Sequence, residues 1–541
     1  MRNISRRDLF KIGGTAAVGV AGAGMLASCA PRQSAGQGAT TAEASSAEAA
    51  GTGTETTSMP AFLAKPEAVV EFAETKDYDV VVVGAGVSGM AAAVSAAQAG
   101  AKVACVQKES EPSSQGNMAA SVDLEQTGEA GKQALLSFLT ELNQHRSDRA
   151  LLEAWADNSF EAIDWFRDLA SQGGIEVNDD EPQAERVLNV NGYDVYLHAN
   201  TYFGIGHGEV VKAIAPVAAQ AGVEFFYSTP AVQLATDDSG KVTGVVCESG
   251  KDHVLFNAAK GVILATGDYQ SDEDMVAHYC PDIVGFPPLQ ANRTGDGHKM
   301  GVWAGGEIEP VTHTKMLHDA RVCRVDAPFL LVNYLGERFM CEGPMQGYLN
   351  NYAREYVHRT GDPLSATMFS VMDAKWRDEI EEWKAIDPEI DASNCKVYFE
   401  GNTIAEAVEA MANDPDWAYN VDAVAVQASV DRYNELCAKG ADDDFGKNPA
   451  FLRAIEQPPF VVVPRDFGYS LSAIIGGLLV NADNQVLKAC NHAEAVEGLY
   501  AVGNVSGCFY GGVDYPMDVL GLSIGRAITG GYVAGKHVAG L

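Results

Sequence analysis

The stretch Asp79-Val80-Val81-Val82-Val83-Gly84-Ala85-Gly86-Val87-Ser88-Gly89 decides the fold of this chain. Val80 to Val83 form a β-branched run of strand type, and three glycines follow at the spacing G-x-G-x-x-G. An Ala-rich helical stretch, Met90 to Ala99, comes next, and after Gly100 a second strand, Lys102 to Val106. Strand, glycine turn, helix and strand within about thirty residues make the dinucleotide-binding fingerprint in its structural context. Gly84 permits the tight turn, Gly86 lets backbone approach a pyrophosphate, and Gly89 lets helix and strand pack closely. The phosphates are expected on the helix N-terminus, at Ser88 and its neighbours, where free N–H groups and the dipole favour anions. The fingerprint expects a ribose-binding acid at the end of the second strand, but Gln107 and then Lys108 stand there. A glutamine can still bond a ribose hydroxyl, without charge assistance.

Further along, Lys260-Gly261-Val262-Ile263-Leu264-Ala265-Thr266-Gly267 is another buried strand ending in a glycine turn. Gly498 to Asn504, with Gly503 at its turn, is a third, and a helical stretch from Leu522 to Val538 closes the chain. A chain that opens on a Rossmann unit and returns to it at its end favours FAD over NAD, because a simple dehydrogenase continues into a second mononucleotide half.

The first 29 residues lie outside this fold. Ser5-Arg6-Arg7-Asp8-Leu9-Phe10-Lys11 resembles the twin-arginine export signal, and Ile12 to Ser28 behind it is too glycine-rich to require a spanning helix. Leu26-Ala27-Ser28-Cys29 resembles a lipoprotein cleavage box, which would put a lipid on Cys29; an ordinary signal cut elsewhere is the alternative. This predicts an extracytoplasmic lipoprotein on the outer face of the cytoplasmic membrane. Residues 30–76, rich in Ala, Ser, Thr, Gly and Glu, read as a flexible tether.

Composition narrows the partners. The 541 residues carry 73 acidic against 38 basic side chains, a formal charge of −35, which disfavours nucleic acid. Ten cysteines without C-x-x-C or C-x-x-C-H spacing offer no zinc ribbon, iron–sulfur run or c-type haem. Electrons must therefore come from a separate donor protein, cytochrome- or quinol-linked.

Several further motifs together resemble the flavoprotein subunits of the fumarate reductase and succinate dehydrogenase family. Gly116-Asn117-Met118 sits where that family has a loop near the isoalloxazine, and Thr294-Gly295-Asp296-Gly297 matches its T-G-D-G turn. Asn333 to Phe339 matches its N-x-x-G-x-R-F hairpin, while Gly476-Gly477 and Gly521-Leu522-Ser523-Ile524-Gly525 match two flavin-contacting turns. The resemblance implies an α/β architecture: a Rossmann-type FAD-binding domain split into residues 77–310 and 459–541, with an α+β capping domain at 311–458. It also implies cofactor contacts at Val232, Ala265, Thr266, Gly267, Asp296, Gly503, Asn504, Ser523 and Ile524, and non-covalent FAD.

The substrate end departs from the pattern. Family members have a proton-donating arginine where Gln346 stands, and carboxylate-binding His and Arg where Ser470 to Ile475 and Asp518 to Leu520 stand. Fumarate is therefore disfavoured, and another activated C=C bond, an enone or enoate used in anaerobic respiration, is expected. Tyr515-Pro516 resembles a segment of the 3-ketosteroid dehydrogenases, whose Tyr hydroxyl bonds the substrate carbonyl, so a dehydrogenase of that type stays open, as does a non-catalytic flavin-binding protein. Tyr348, His313 and His318 are the other candidate catalytic residues. His313, Lys315, His318, Arg321 and Arg324 form a basic cluster, and Tyr348, Tyr352 and Tyr356 form a stripe that reads equally as packing.

Overall fold

Strand β1 (Glu74–Val83) runs through the middle of an eight-stranded sheet, and the remaining core elements are arranged around it. They are α1 (Val87–Gln98), β2 (Val103–Val106), β3 (Val223–Phe226), β4 (Asp252–Leu264), β5 (Asn491–Ala501) and α2 (Leu522–Ala539). The computed structural model describes residues 59–116, 118–176, 186–198, 206–317, 325, 327–343, 349–388, 390–393, 395–465, 471–512, 515 and 518–540. The strand order β5-β4-β1-β2-β3 is parallel throughout, with Val80 opposite both Val103 and Gly261, and Leu499 opposite Val262. Helices cover both faces of a parallel sheet, so its strands carry apolar side chains in both directions. Val80, Val81 and Val82 are fully buried.

The C-terminal helix returns to the first. Gly531 and Gly535 of α2 pack on α1 so closely that a Cβ on Gly535 would lie 2.0 Å from Ser95 Oγ and 2.4 Å from the Ala92 carbonyl oxygen. Gly535→Val is expected to destabilise the protein by about 1–3 kcal/mol through overpacking. A lowered thermal midpoint of the holoprotein checks it.

A second, antiparallel sheet (Leu330–Val332, Met368–Met372, Phe460–Arg465, Phe399–Gly401) and helices such as Ile404–Ala412 and Ala423–Lys439 form the capping domain. Here the expected boundary at 458 needs correcting. Phe460–Arg465 pairs with Met368–Met372, so the cap's sheet takes a strand expected in the FAD unit. Conversely, Thr314–Leu317, expected in the cap, pairs with Leu471–Ile475.

The tether reading of residues 30–76 also changes over its last part. Leu63 is buried, its carbonyl accepts from Trp303 Nε1 at 3.0 Å, and Val69 N–H donates to Gln233 Oε1 at 3.0 Å. Strand β1 starts at Glu74, where this polar, solvent-facing half pairs with Val254 to Phe256. Residues 59–76 are thus held by an apolar anchor and by backbone pairing. Among the described residues, no helix is long and apolar enough to cross a membrane, and no cluster of ligands suits a metal.

Candidate active site

Gly84 has φ +108°, and a Cβ there would fall 2.4 Å from the Ala265 carbonyl oxygen. A Cβ on Gly89 would fall 1.9 Å from the Gly84 carbonyl oxygen. Those two glycines therefore bring the β1 turn, the first turn of α1 and the end of β4 into contact. Gly86 is the N-cap of α1 and supplies no side chain to the helix, so the first-turn N–H groups at Val87 and Ser88 are left for an acceptor from outside. Ser88 faces Gly503, the turn after β5, whose φ of +70° admits little but glycine.

The other expected contacts gather round this turn. Gln107 ends β2, buried, with its Nε2 donating to the Glu111 carbonyl at 3.3 Å. Lys108 Nζ pairs with Asp296 Oδ2 at 2.9 Å and donates to Thr294 Oγ1 at 3.0 Å, so two of the candidates neutralise one another. Thr266 Oγ1 is buried with no partner among the described residues, between the end of β4 and Gly297. The loop at Gly116 and Met118 docks on the start of α2. Ala120 N–H donates to the Gly521 carbonyl at 3.0 Å, and Gly116 lies against Ile524, next to Ser523. Val232 sits at a β-bulge in Ala231–Thr236, and Asn504 is half-buried beyond Gly503. An uncapped helix N-terminus, a glycine-lined turn and an unsatisfied buried hydroxyl fit the pyrophosphate and hydroxyls of FAD. Asn117 lies outside the described residues.

Tyr515, the first of the candidate catalytic residues, is buried and donates to the Val519 carbonyl at 3.5 Å. Burial pushes its phenol up to about 12, against the opposing pull of the Ser523, Leu522 and Gly521 backbone N–H groups at the start of α2. It is a neutral donor over the whole physiological range. Val519 and Ala473 are buried apolar residues where the family resemblance would place cations.

His313 is in a different setting from the one expected. It is fully buried, with Nδ1 2.6 Å from Tyr269 Oη, Nε2 3.0 Å from the Glu309 carbonyl, and its ring stacked on Tyr279. Burial lowers its pKa to about 3, and both ring nitrogens are engaged, so the structure gives it a packing role. Lys315 is buried and paired with Asp282 at 3.0 Å. Tyr352 and Tyr356 pack on Phe339. Tyr348, His318, Arg321, Arg324 and Gln346 lie outside the described residues.

A polar wall was missed from sequence. Gln115 and Gln270 both donate to the Ser472 carbonyl, Gln290 Nε2 donates to Gln115 Oε1 at 3.3 Å, and Gln290 N–H donates to Gln270 Oε1 at 2.9 Å. Asp268, buried, accepts from Gln270 and from Ile474 N–H at 3.2 Å. Burial raises its pKa while nearby Arg293 opposes the rise. Asp268 follows the Ala265–Gly267 turn directly and Arg293 precedes the T-G-D-G turn, an adjacency that could have flagged both.

Comparison with known proteins agrees with this geometry. The family described as FAD binding domain matches residues 79–515. The chain is 29% identical to vinyl phenol reductase of Lactiplantibacillus plantarum, over 86% of this chain and 97% of that protein. It is 26% identical to digoxin reductase of Eggerthella lenta, over 100% of this chain and 98% of that one. Its fold is similar to the open conformation of a flavocytochrome c3 fumarate reductase, with TM-score 0.64, 21% identity, and 86% and 79% of the two chains covered. A 3-ketosteroid-Δ4-(5α)-dehydrogenase from Rhodococcus jostii RHA1 superposes with TM-score 0.61 at 21% identity, covering 87% and 98%. The fingerprint, the returning C-terminal turns and this match place the chain in the FAD binding domain family, as an FAD-dependent oxidoreductase.

Proposed function

We propose that this protein is an exported reductase that saturates an activated C=C bond of an uncharged or weakly charged organic acceptor, and that fumarate is not its substrate. The observation that carries the reading is the buried, neutral phenol of Tyr515 beside the start of α2, with apolar Val519 and Ala473 where cations would be needed for a dicarboxylate. When bound, FAD would supply a hydride equivalent to one alkene carbon, and a proton delivered from an acid of the site or from solvent would complete the saturation at the other. Tyr515 keeps its proton on Oη and exchanges its long bond to the Val519 carbonyl for one to the carbonyl or equivalent group that activates the alkene, stabilising negative charge as it develops there. The Gln115–Gln270–Gln290 wall orients neutral polar groups without contributing net charge. The cap excludes water from this space. Because burial pushes the phenol up to about 12, its hydrogen-bond donation persists across the neutral and mildly alkaline range and is lost only as pH rises through that value.

The resemblance of the chain to reductases named for vinyl phenol and digoxin supports a neutral acceptor. A dehydrogenase working in the opposite direction uses the same residues, and the flavin midpoint potential separates the two directions. Electrons arrive from a cytochrome- or quinol-linked protein, and the chain is held to the outer face of the cytoplasmic membrane by a lipid on Cys29.

Two experiments test the reading. Acid precipitation of the holoprotein is expected to release FAD into the supernatant, whereas FMN or retained flavin would contradict non-covalent FAD. Replacing Cys29 with Ser should move the protein from the membrane to the soluble extracytoplasmic fraction; unchanged fractionation would rule out the lipid anchor.

A further inference from the structure

We propose that Glu309 is a positioning residue of the flavin site, which ties two of its turns together and sets the potential of the bound flavin through its charge. Its carboxylate is buried, and each oxygen accepts one backbone N–H: Oε1 that of Gly477 at 3.2 Å, and Oε2 that of Cys508 at 2.7 Å. Its own N–H donates to the Gly477 carbonyl at 2.8 Å. Gly477 belongs to the Gly476-Gly477 turn, and Cys508 ends the loop that starts at Gly503. The two segments are also stitched directly, Leu478 N–H to the Val505 carbonyl at 2.8 Å and Gly507 N–H to the Leu478 carbonyl at 2.9 Å. Both border the FAD cradle. Gly503 faces Ser88, while Val505 and the unpartnered hydroxyl of Thr266 close on the same side of Gly297.

Two backbone bonds do not account for a charge at this place. A buried carboxylate is costly, and among the described residues this one forms no direct ion pair. Arg526 acts on it electrostatically while bonding the Gly503 carbonyl and Ser506 Oγ at the other end of the same loop. Burial pushes Glu309 up to about 7, against the Cys508 and Gly477 N–H groups and Arg526. The groups facing it keep one charge state through neutrality. Burial lowers His313, whose Nε2 bonds the Glu309 carbonyl, to about 3, and His298, behind Gly477, to about 4. It pushes the Cys508 thiol and the Tyr269 phenol up, and Arg526 stays a cation although burial lowers its pKa. Arg146 and Asp148 reach Cys508 from the side away from Glu309. Reduction of the flavin adds negative charge to the site, so an ionised Glu309 opposes it and a protonated one does not. The carboxylate therefore lowers the flavin potential above about pH 7, and taking one proton from solvent relieves the effect. Bound FAD suffices for this role, whatever alkene it reduces.

The test is the midpoint potential of FAD in the holoprotein, followed by absorbance on both sides of neutrality. Glu309→Gln is expected to match wild type on the acid side and to lie at a more positive potential on the alkaline side, the gap opening through neutrality. Glu309→Asp keeps the charge and should follow wild type. A gap equal at every pH, which loss of a structural bond alone would give, overturns the proposal. So does coincidence at every pH, or an Asp variant that behaves as Gln. Should Glu309→Gln fail to retain FAD, the reduced-minus-oxidised infrared spectrum decides. A protonated-carboxyl band that grows on reduction near neutrality, and moves in Glu309→Asp, is then expected; no such band, or one that Glu309→Asp leaves in place, overturns the proposal.

Discussion

Tyr515→Phe is expected to slow reoxidation of the reduced flavin by substrate by about 10²–10³-fold, about 2.7–4 kcal/mol of transition-state stabilisation. The effect follows from removing a buried neutral donor beside the start of α2 while leaving the ring that packs 5.7 Å from Tyr510. Flavin absorbance and reduction by an artificial donor should not change, because the substitution removes only the hydroxyl and keeps the aromatic ring packed beside Tyr510. Rapid-mixing absorbance measures all three. Tyr348→Phe is the comparison variant, and a larger loss there would move the activating hydrogen-bond donor into the cap. His313→Ala is a poorer comparison than its sequence position suggests. Its imidazole bonds Tyr269 and stacks on Tyr279, so its removal disturbs packing. Full activity of Tyr515→Phe on the true substrate would refute the assignment.

Arg338→Ala should be the most damaging substitution for stability in the cap. The guanidinium donates through Nε and Nη2 to Glu342, at 3.0 and 2.8 Å, and through Nη1 and Nη2 to Asp442, at 3.0 and 2.7 Å. Both carboxylate side chains are fully buried, and Lys447 Nζ, 3.5 Å from Glu342 Oε2, is the other cation at hand. Removing Arg338 leaves a buried carboxylate uncompensated, a loss of about 3–5 kcal/mol. Urea denaturation of the holoprotein measures it, and Arg338→Lys should recover part of the loss, because it keeps the charge without the planar fork. The pH dependence has a definite sign. Burial acts to raise the Asp442 pKa, but Arg338 and backbone N–H groups prevail and hold it well below the usual carboxylate range. Its folded value is thus lower than its unfolded one, so its contribution is complete above the unfolded value and fades as pH falls towards the folded one. Arg338→Ala should flatten that acid limb.

The same arginine shows what sequence could and could not tell. The hairpin Asn333 to Phe339 was legible by resemblance, but the reason for Arg338 was not, since Asp442 is far away along the chain. The Rossmann core was legible because its signals are local: a β-branched run, glycines at fixed spacing and an Ala-rich helix lie within one short segment. Residues 59–76 were misread for the opposite reason. Phe62 and Leu63 anchor a stretch whose other large apolar residues, Met59, Val69, Val70 and Phe72, follow no helix or strand period, and Glu74 to Lys76 are polar because that half of β1 faces solvent. The amide wall had no local signal at all. Gln115, Gln270, Gln290 and Ser472 come from separate segments and meet only when the FAD domain closes on itself.

The central claim, a reductase for a neutral activated alkene, is tested most directly by one competition. Holoprotein reduced anaerobically is mixed with fumarate or with an uncharged conjugated enone, and flavin absorbance is followed through reoxidation. The account predicts that the enone restores the oxidised spectrum and that fumarate leaves the flavin reduced on the same timescale. Reoxidation by fumarate as fast as by the enone would contradict it.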